Sequence, residues 1–185
     1  PVHGYDWRRP NWVPYQKTEH LAVRDGVGLY DLTSMGKYLV QGRDAEAVLQ
    51  HLCTNDLAVA DGSVVYTPLC NARGGFESDI TVTRLGRERF LLVTAAGTAV
   101  RDFDYIQRHI PAEAICTITD VTHGLAMLAV MGPQSRDLLQ SLSDEDLSNA
   151  TFPYGTAREI DLGYARPLAL RMSYVGELGW ELYFP

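Results

Sequence analysis

The chain has 185 residues, 46% apolar and 21% charged, with 16 Gly, 9 Pro and 3 Cys. These proportions exclude a disordered tail, a collagen-like repeat and a disulfide scaffold, and the length suffices for one large domain or two subdomains with buried cores. Sixteen basic against 23 acidic side chains leave a net charge of −7, which argues against nucleic acid as a partner because phosphate binding calls for surplus Lys and Arg.

Residues 1–16, rich in Trp, Tyr and Pro, predict an irregular arm, and residues 17–24 a short helix stopped by Asp25-Gly26. A strand is expected over 37–41, followed by a helix from an Asp44 N-cap to about Cys53, with Ala47, Val48, Leu49 and Leu52 as its apolar positions. Residues 64–69 and 76–85 read as strands joined by the loop Asn71-Ala72-Arg73-Gly74-Gly75. A third strand follows over 89–94, then a helix over 98–110 that Pro111 ends. Strands are predicted over 115–121 and 125–131, a helix from Gly132-Pro133 through Leu142, and strands over 157–162, 169–174 and 180–184. Short hairpins favour an α+β protein with antiparallel or mixed sheets and helices on one face.

Cys53, Cys70 and Cys116 are odd in number and form no CxxC pair, so reduced thiols are expected. The five histidines fall at no metal-ligand spacing, and no metal site is expected. Gly26-Val27-Gly28 lacks the third glycine of a dinucleotide fingerprint, and neither a P-loop nor a Gly-x-Ser-x-Gly elbow is present. The longest apolar stretch, residues 125–131, is too short to cross a bilayer. The expectation is a soluble, cytoplasmic protein without a membrane partner, or a mitochondrial-matrix one in a eukaryote. The chain starts at Pro1 and stops at Pro185, directly after a strand-like run, and so reads as a piece of a longer protein.

Two segments carry chemistry. In the first, period-two alternation puts Ser78, Ile80 and Val82 on one strand face and Glu77, Asp79, Thr81 and Thr83 on the other. An Asp in a strand either reaches solvent or serves a site. In the second, Gly176 and Gly179 make a tight turn that gathers Tyr174, Glu177 and Glu181. A ring beside carboxylates suits a flat heterocycle with N–H donors, and equally a hairpin with solvated acids.

The chain resembles the folate-binding aminomethyltransferase family, that of the glycine-cleavage T-protein. The resemblance runs from Glu19-His20-Leu21-Ala22-Val23-Arg24 to the end. It includes Gly28-Leu29-Tyr30-Asp31-Leu32-Thr33, Asn55-Asp56, Tyr66, Asn71-x-x-Gly74-Gly75, Asp79, Met131-Gly132-Pro133 and Tyr174-x-Gly176-Glu177-x-Gly179-x-Glu181. Arg9-Pro10-Asn11-Trp12, the run from Glu77 to Leu85 and Gly176-Glu177-Leu178-Gly179-Trp180-Glu181 are most similar to the region fused behind the FAD domain of dimethylglycine and sarcosine dehydrogenases. Stand-alone T-proteins carry two adjacent Asp residues where this chain has Ser78 and Asp79.

The resemblance implies an arm at 1–18 and a folate-binding domain at 19–185, with two similar subdomains at about 28–112 and 113–185. It also implies truncation before a C-terminal β-barrel and before an arginine that helps close the pterin site. Asp79 becomes the catalytic carboxylate beside the reacting nitrogens of tetrahydrofolate. Glu181 pairs with the pterin's N–H donors, and Tyr174 and Tyr66 line its pocket. Glu177 is left structural. The implied function is capture of the methylene group of an oxidised N-methylglycine as 5,10-methylenetetrahydrofolate. The partners are then folate, a small N-methyl amine or its iminium, and a covalently linked flavin domain that alone holds FAD; the fragment by itself is expected to be inactive. Alternatives are a stand-alone aminomethyltransferase, a folate-dependent demethylase, a non-enzymatic folate-binding regulator, and a scaffold that docks a flavin domain.

Overall fold

A computed structural model describes residues 7–185. Helix α1 spans Val13–Asp25, β1 Gly28–Asp31, β2 Gly36–Gln41, α2 Ala45–Leu52 and β3 Val64–Cys70. Next come β4 at Phe76–Gly86, β5 at Arg89–Thr94, α3 at Ala99–Arg108, β6 at Thr117–Asp120 and β7 at Ala126–Met131. The chain closes with α4 at Ser135–Gln140, β8 at Ala157–Glu159, β9 at Leu168–Leu170 and β10 at Gly179–Phe184. The strands form two five-stranded sheets, ordered β3-β4-β5-β2-β6 and β1-β7-β10-β9-β8, and every pairing is antiparallel.

Alternation along the strands builds the layers. One face of the first sheet supplies Tyr38, Val40, Ile80, Val82, Phe90 and Leu92, which pack against Val48, Leu49 and Leu52 of α2 and Ile106 of α3. One face of the second supplies Val130, Trp180 and Leu182, covered by Leu139 of α4 together with Leu147 and Phe152. The remaining faces turn toward each other, where Leu91 and Val93 meet Met127, Leu170 and Tyr183. Each fully buried Leu or Phe side chain contributes on the order of 1.5–3 kcal/mol, so three such clusters account for much of the stability.

The α+β architecture with antiparallel sheets agrees with the sequence expectation. Three local details differ. Helix α1 begins at Val13, inside the stretch expected to be irregular, because Pro14 is accommodated in the first turn and the Trp12 carbonyl accepts from the Tyr15 and Gln16 amides. The part of that expected arm at residues 1–6 lies outside the described residues. Asp44 stands at the start of α2 without capping it; its carboxylate instead accepts from the Ile115 amide at 2.8 Å and pairs with Arg43. Strand β1, which the sequence pattern did not single out, pairs with β7 in the second sheet, while β6 pairs with β2 in the first. Residues 28–112 thus contribute β1 to the second sheet, and residues 113–185 contribute β6 to the first.

Candidate functional site

The hairpin β3–β4 is set by Asn71. Its Oδ1 accepts from the Arg73 and Gly75 amides at 3.0 Å each, and its Nδ2 donates to Glu77 at 2.7 Å. Gly74 sits at φ +74°, a conformation that favours glycine. This turn fixes a register in which Pro68 faces Asp79 and Tyr66 faces Thr81. Tyr66 and Asp79 are diagonal neighbours on one face, and the Tyr66 hydroxyl donates to Asp79 Oδ2 at 2.6 Å. The opposite edge of β3 is tied down by Asn55, whose Nδ2 donates to the Tyr66 carbonyl at 2.7 Å.

Alternation sends Asp79 to the face that carries Thr81 and Thr83, the face turned toward the second sheet. Its predecessor Ser78 is buried on the helix side, and its Oγ donates to Asp102 Oδ2 at 2.7 Å. Thr98 donates to the same oxygen at 2.7 Å, Thr94 also donates to it, and Arg101 pairs with Oδ1 at 3.1 Å. Burial pushes the Asp102 pKa up, but the three hydroxyls and Arg101 outweigh it and leave the pKa below the ordinary carboxylate value. Asp102 thus clamps α3 to the strand that carries Asp79.

Glu181 lies on β10 between Ala129 of β7 and Leu170 of β9. It shares a face with Tyr183, which packs in the cluster between the sheets, so Glu181 and Asp79 stand on the two faces that oppose each other. Glu181 is 7% exposed. Its Oε2 accepts from the Tyr183 hydroxyl at 2.8 Å, and it has no ion-pair partner among the described residues. Burial raises its pKa, and the Tyr183 bond offsets this in part.

The turn before β10 carries Tyr174, which is 92% exposed. Gly176 holds it at φ +79°, and a side chain at Gly179 would press on Met131. Tyr66 has a raised pKa, first through the bond to Asp79, then through burial and the Asp79 charge, and last through the nearby Tyr174. The structure therefore joins Tyr66 to Asp79 and leaves Tyr174 exposed on the turn, while Glu181 is held deeper, against Tyr183. Glu177 is turned to Arg24, at 3.3 Å. Asn55-Asp56 is a structural element: Asp56 accepts from Gln50 and the Ala58 amide at 2.6 and 2.8 Å.

Sequence reasoning missed Asp102, although an acid four positions before Ile106 on the buried face of α3 was a signal. It also missed Lys37, fully buried, whose Nζ donates to the Thr33 and Met35 carbonyls at 2.8 and 2.9 Å and closes the connection between β1 and β2. Two cavities among the described residues adjoin these elements. One of about 630 Å³ lies between the layers, walled by Leu39, Arg84, Leu91, Val121 and Tyr183 among others. The other, about 470 Å³, lies beside the turn and is lined by Tyr154, Arg171, Ser173, Gly176, Glu177 and Leu178. Asp79 and Glu181 line neither. Among the described residues, no cluster of His, Cys, Asp or Glu could hold a metal ion, and no helix is long and apolar enough to cross a membrane.

Comparison with known proteins finds the family described as the GCVT N-terminal domain over residues 2–185. The chain is 42% identical over 183 residues to a 4-methylaminobutanoate oxidase (formaldehyde-forming) of Paenarthrobacter nicotinovorans, covering 99% of this chain and 22% of the relative. It is 38% identical over 178 residues to an aminomethyltransferase of Shouchella clausii, covering 96% of this chain and 48% of the relative. The chain thus spans about half of one relative and a smaller part of the other. Among solved structures, the glycine cleavage system aminomethyltransferase T from Bartonella henselae superposes with a TM-score of 0.77 at 28% identity, over 91% of this chain and 44% of that one. The heterotetrameric sarcosine oxidase from Corynebacterium sp. U-96 shares the fold, with a TM-score of 0.64 at 20% identity over 96% of this chain and 87% of that one.

Proposed function

The chain belongs to the GCVT N-terminal domain family, and on that premise we propose that it is a tetrahydrofolate-binding module that captures the one-carbon unit of an oxidised N-methyl amine. The observation that carries this reading is the placement of Asp79 and Glu181 on the opposed faces of the two sheets, with Tyr66 bonded to Asp79. The residues fit a pterin. Glu181 is a buried carboxylate met by a tyrosine hydroxyl and by no cation among the described residues. A pair of ligand N–H groups would supply the donors that its charged form needs. Tyr174, exposed on the turn, and Tyr66 offer rings for stacking against a flat heterocycle.

Tetrahydrofolate, when bound, supplies the nucleophilic nitrogen that takes up the one-carbon unit. Asp79 presents Oδ1, the oxygen that Tyr66 does not engage, to a cationic substrate and can accept a proton there. The amine oxidation that precedes this capture belongs to a flavin domain outside these residues. The 4-methylaminobutanoate oxidase relative favours that arrangement, and the aminomethyltransferase relative favours a stand-alone transferase. Whether the full-length protein purifies with a flavin separates the two.

The test uses the full-length protein with dimethylglycine or sarcosine and tetrahydrofolate. The wild type is expected to yield 5,10-methylenetetrahydrofolate, and Asp79→Asn to lose that product while still binding folinic acid. Equal yields from both would remove Asp79 from the chemistry. Absence of folinic acid binding at millimolar ligand would leave a scaffold in place of a folate module.

A further inference from the structure

On the outer side of the second sheet, away from Asp79 and Glu181, lies a group of hydrogen-bond donors that lack acceptors. Arg171 follows Leu170, whose side chain points between the sheets, and so it turns to the opposite side. It is 7% exposed; Nη1 donates to the Gly179 carbonyl at 3.1 Å, and the guanidinium lies 4.5 Å from the Trp180 ring. Its Nε is buried without a partner, as are Ser173 Oγ and Trp180 Nε1. The same indole carries Arg136 at 5.5 Å, whose own bonds go to the Leu147 carbonyl and the Asn149 amide oxygen. Neither arginine has an ion pair among the described residues.

Arg171 and Ser173 both line the cavity of about 470 Å³ beside the turn. Buried polar groups in native proteins are nearly always hydrogen-bonded, and a buried charge needs a counter-charge. Here the unanswered atoms are mainly donors and the surplus charge is positive, so the missing partner is an anionic acceptor. With Nη1 committed to Gly179, the guanidinium keeps its Nε side free, an edge that matches the two oxygens of a carboxylate. Glu177, the acid in the cavity wall, is directed to Arg24 instead.

We propose that this cavity is a carboxylate-binding site, with Arg171 Nε and Ser173 Oγ as its donors and the Trp180 ring backing the guanidinium. It is a second site, independent of the folate reading. A free carboxylic acid and an acidic side chain from another part of the protein present the same group to it, and the experiment separates these sources.

Equilibrium dialysis of the full-length protein with radiolabelled acetate, at constant ionic strength in chloride, tests the first source. Saturable binding is expected, weakened at least about tenfold by Arg171→Lys, which keeps the charge and loses the fork. Ser173→Ala should weaken it less, and Asp79→Asn should leave it unchanged. Thermal melting checks that each variant is folded, and Ser173→Ala carries the test if Arg171→Lys is not. A crystal structure of the full-length protein grown without carboxylate buffers tests the second source: an Asp or Glu from outside these residues on Arg171 Nε supports the site. No acetate binding together with no such side chain overturns it. Pairing of Glu177 with Arg171 in that structure overturns it as well, and so does inorganic phosphate binding at least as tightly as acetate.

Discussion

Replacing Ser78 by Asp would place two carboxylates where this chain has a hydroxyl and a carboxylate. Ser78 is 5% exposed and its Oγ lies 2.7 Å from Asp102 Oδ2. An aspartate there brings a second negative charge to about 4 Å, where at an effective dielectric constant of about 20 the repulsion is about 4 kcal/mol. The Ser78 hydrogen bond, worth about 1.5–3 kcal/mol to a charged acceptor, is lost as well, and proton uptake by the pair relieves part of the sum. The expected destabilisation at pH 7 is about 3–5 kcal/mol. For a chain of this size that lowers Tm by roughly 10 °C, taking about 2–4 °C per kcal/mol. The sign with pH is definite. The introduced carboxylate has a raised pKa in the folded protein, so its penalty is absent below the unfolded value near 4 and grows as pH rises through the folded value. Differential scanning calorimetry at pH 4 and pH 7 should show the deficit at neutral pH and its narrowing in acid. Asp102→Asn in the same chain should recover much of it. A Tm within about 2 °C of the parent at pH 7 would refute the clamp.

Glu181→Gln should act in opposite directions on fold and site. Because burial raises the Glu181 pKa, its contribution to stability is highest below the ordinary value of about 4.5 and falls as pH rises toward the folded value. The Gln variant should therefore lose less stability between pH 4 and 8 in thermal melts, while folinic acid binds at least about tenfold more weakly by calorimetry. Cys53 is buried and its thiol is pushed up to about 12 by desolvation, partly offset by the Thr67 bond. Iodoacetamide at pH 8 should leave it unmodified in the native protein and alkylate it after unfolding, as mass spectrometry of its peptide would show. Arg24→Ala removes an ion pair whose arginine is 64% exposed, and the melting free energy should change by less than about 1 kcal/mol.

Local pattern made much of this structure legible. Period-two alternation put Ser78, Ile80 and Val82 on the buried face of β4, and the Asn71–Gly75 loop showed where the hairpin turns. The strand at 89–94 was placed to the residue because Phe90, Leu91, Leu92 and Val93 form an apolar run bounded by Arg and Thr. What stayed hidden depends on partners far along the chain. Gly28–Asp31 is too short and too polar to announce a strand, and it exists because β7 supplies the pairing. Strand β9 ends at Leu170 rather than at Tyr174, because beyond it the Arg171 amide and carbonyl go to Thr156 and Gly155 and the Met172 amide turns back to the Leu170 carbonyl. Helical spacing placed Asp102 on the face of Ile106, but the hydroxyls of Ser78 and Thr94 that hold it come from strands distant in sequence or across a turn. The burial of Arg171 against Trp180 depends on a strand that follows it.

The exchange of strands between layers has a consequence for how this fold comes apart. A nick in the 109–116 connection would release two pieces, the first holding β1 and the second holding β6. Each would carry one edge strand of the other's layer and lack one of its own. Neither piece can finish its hydrogen-bonding alone, so reassociation must seat both strands at once. That reciprocal insertion makes the fold a two-part lock, and loosening either layer frees the other.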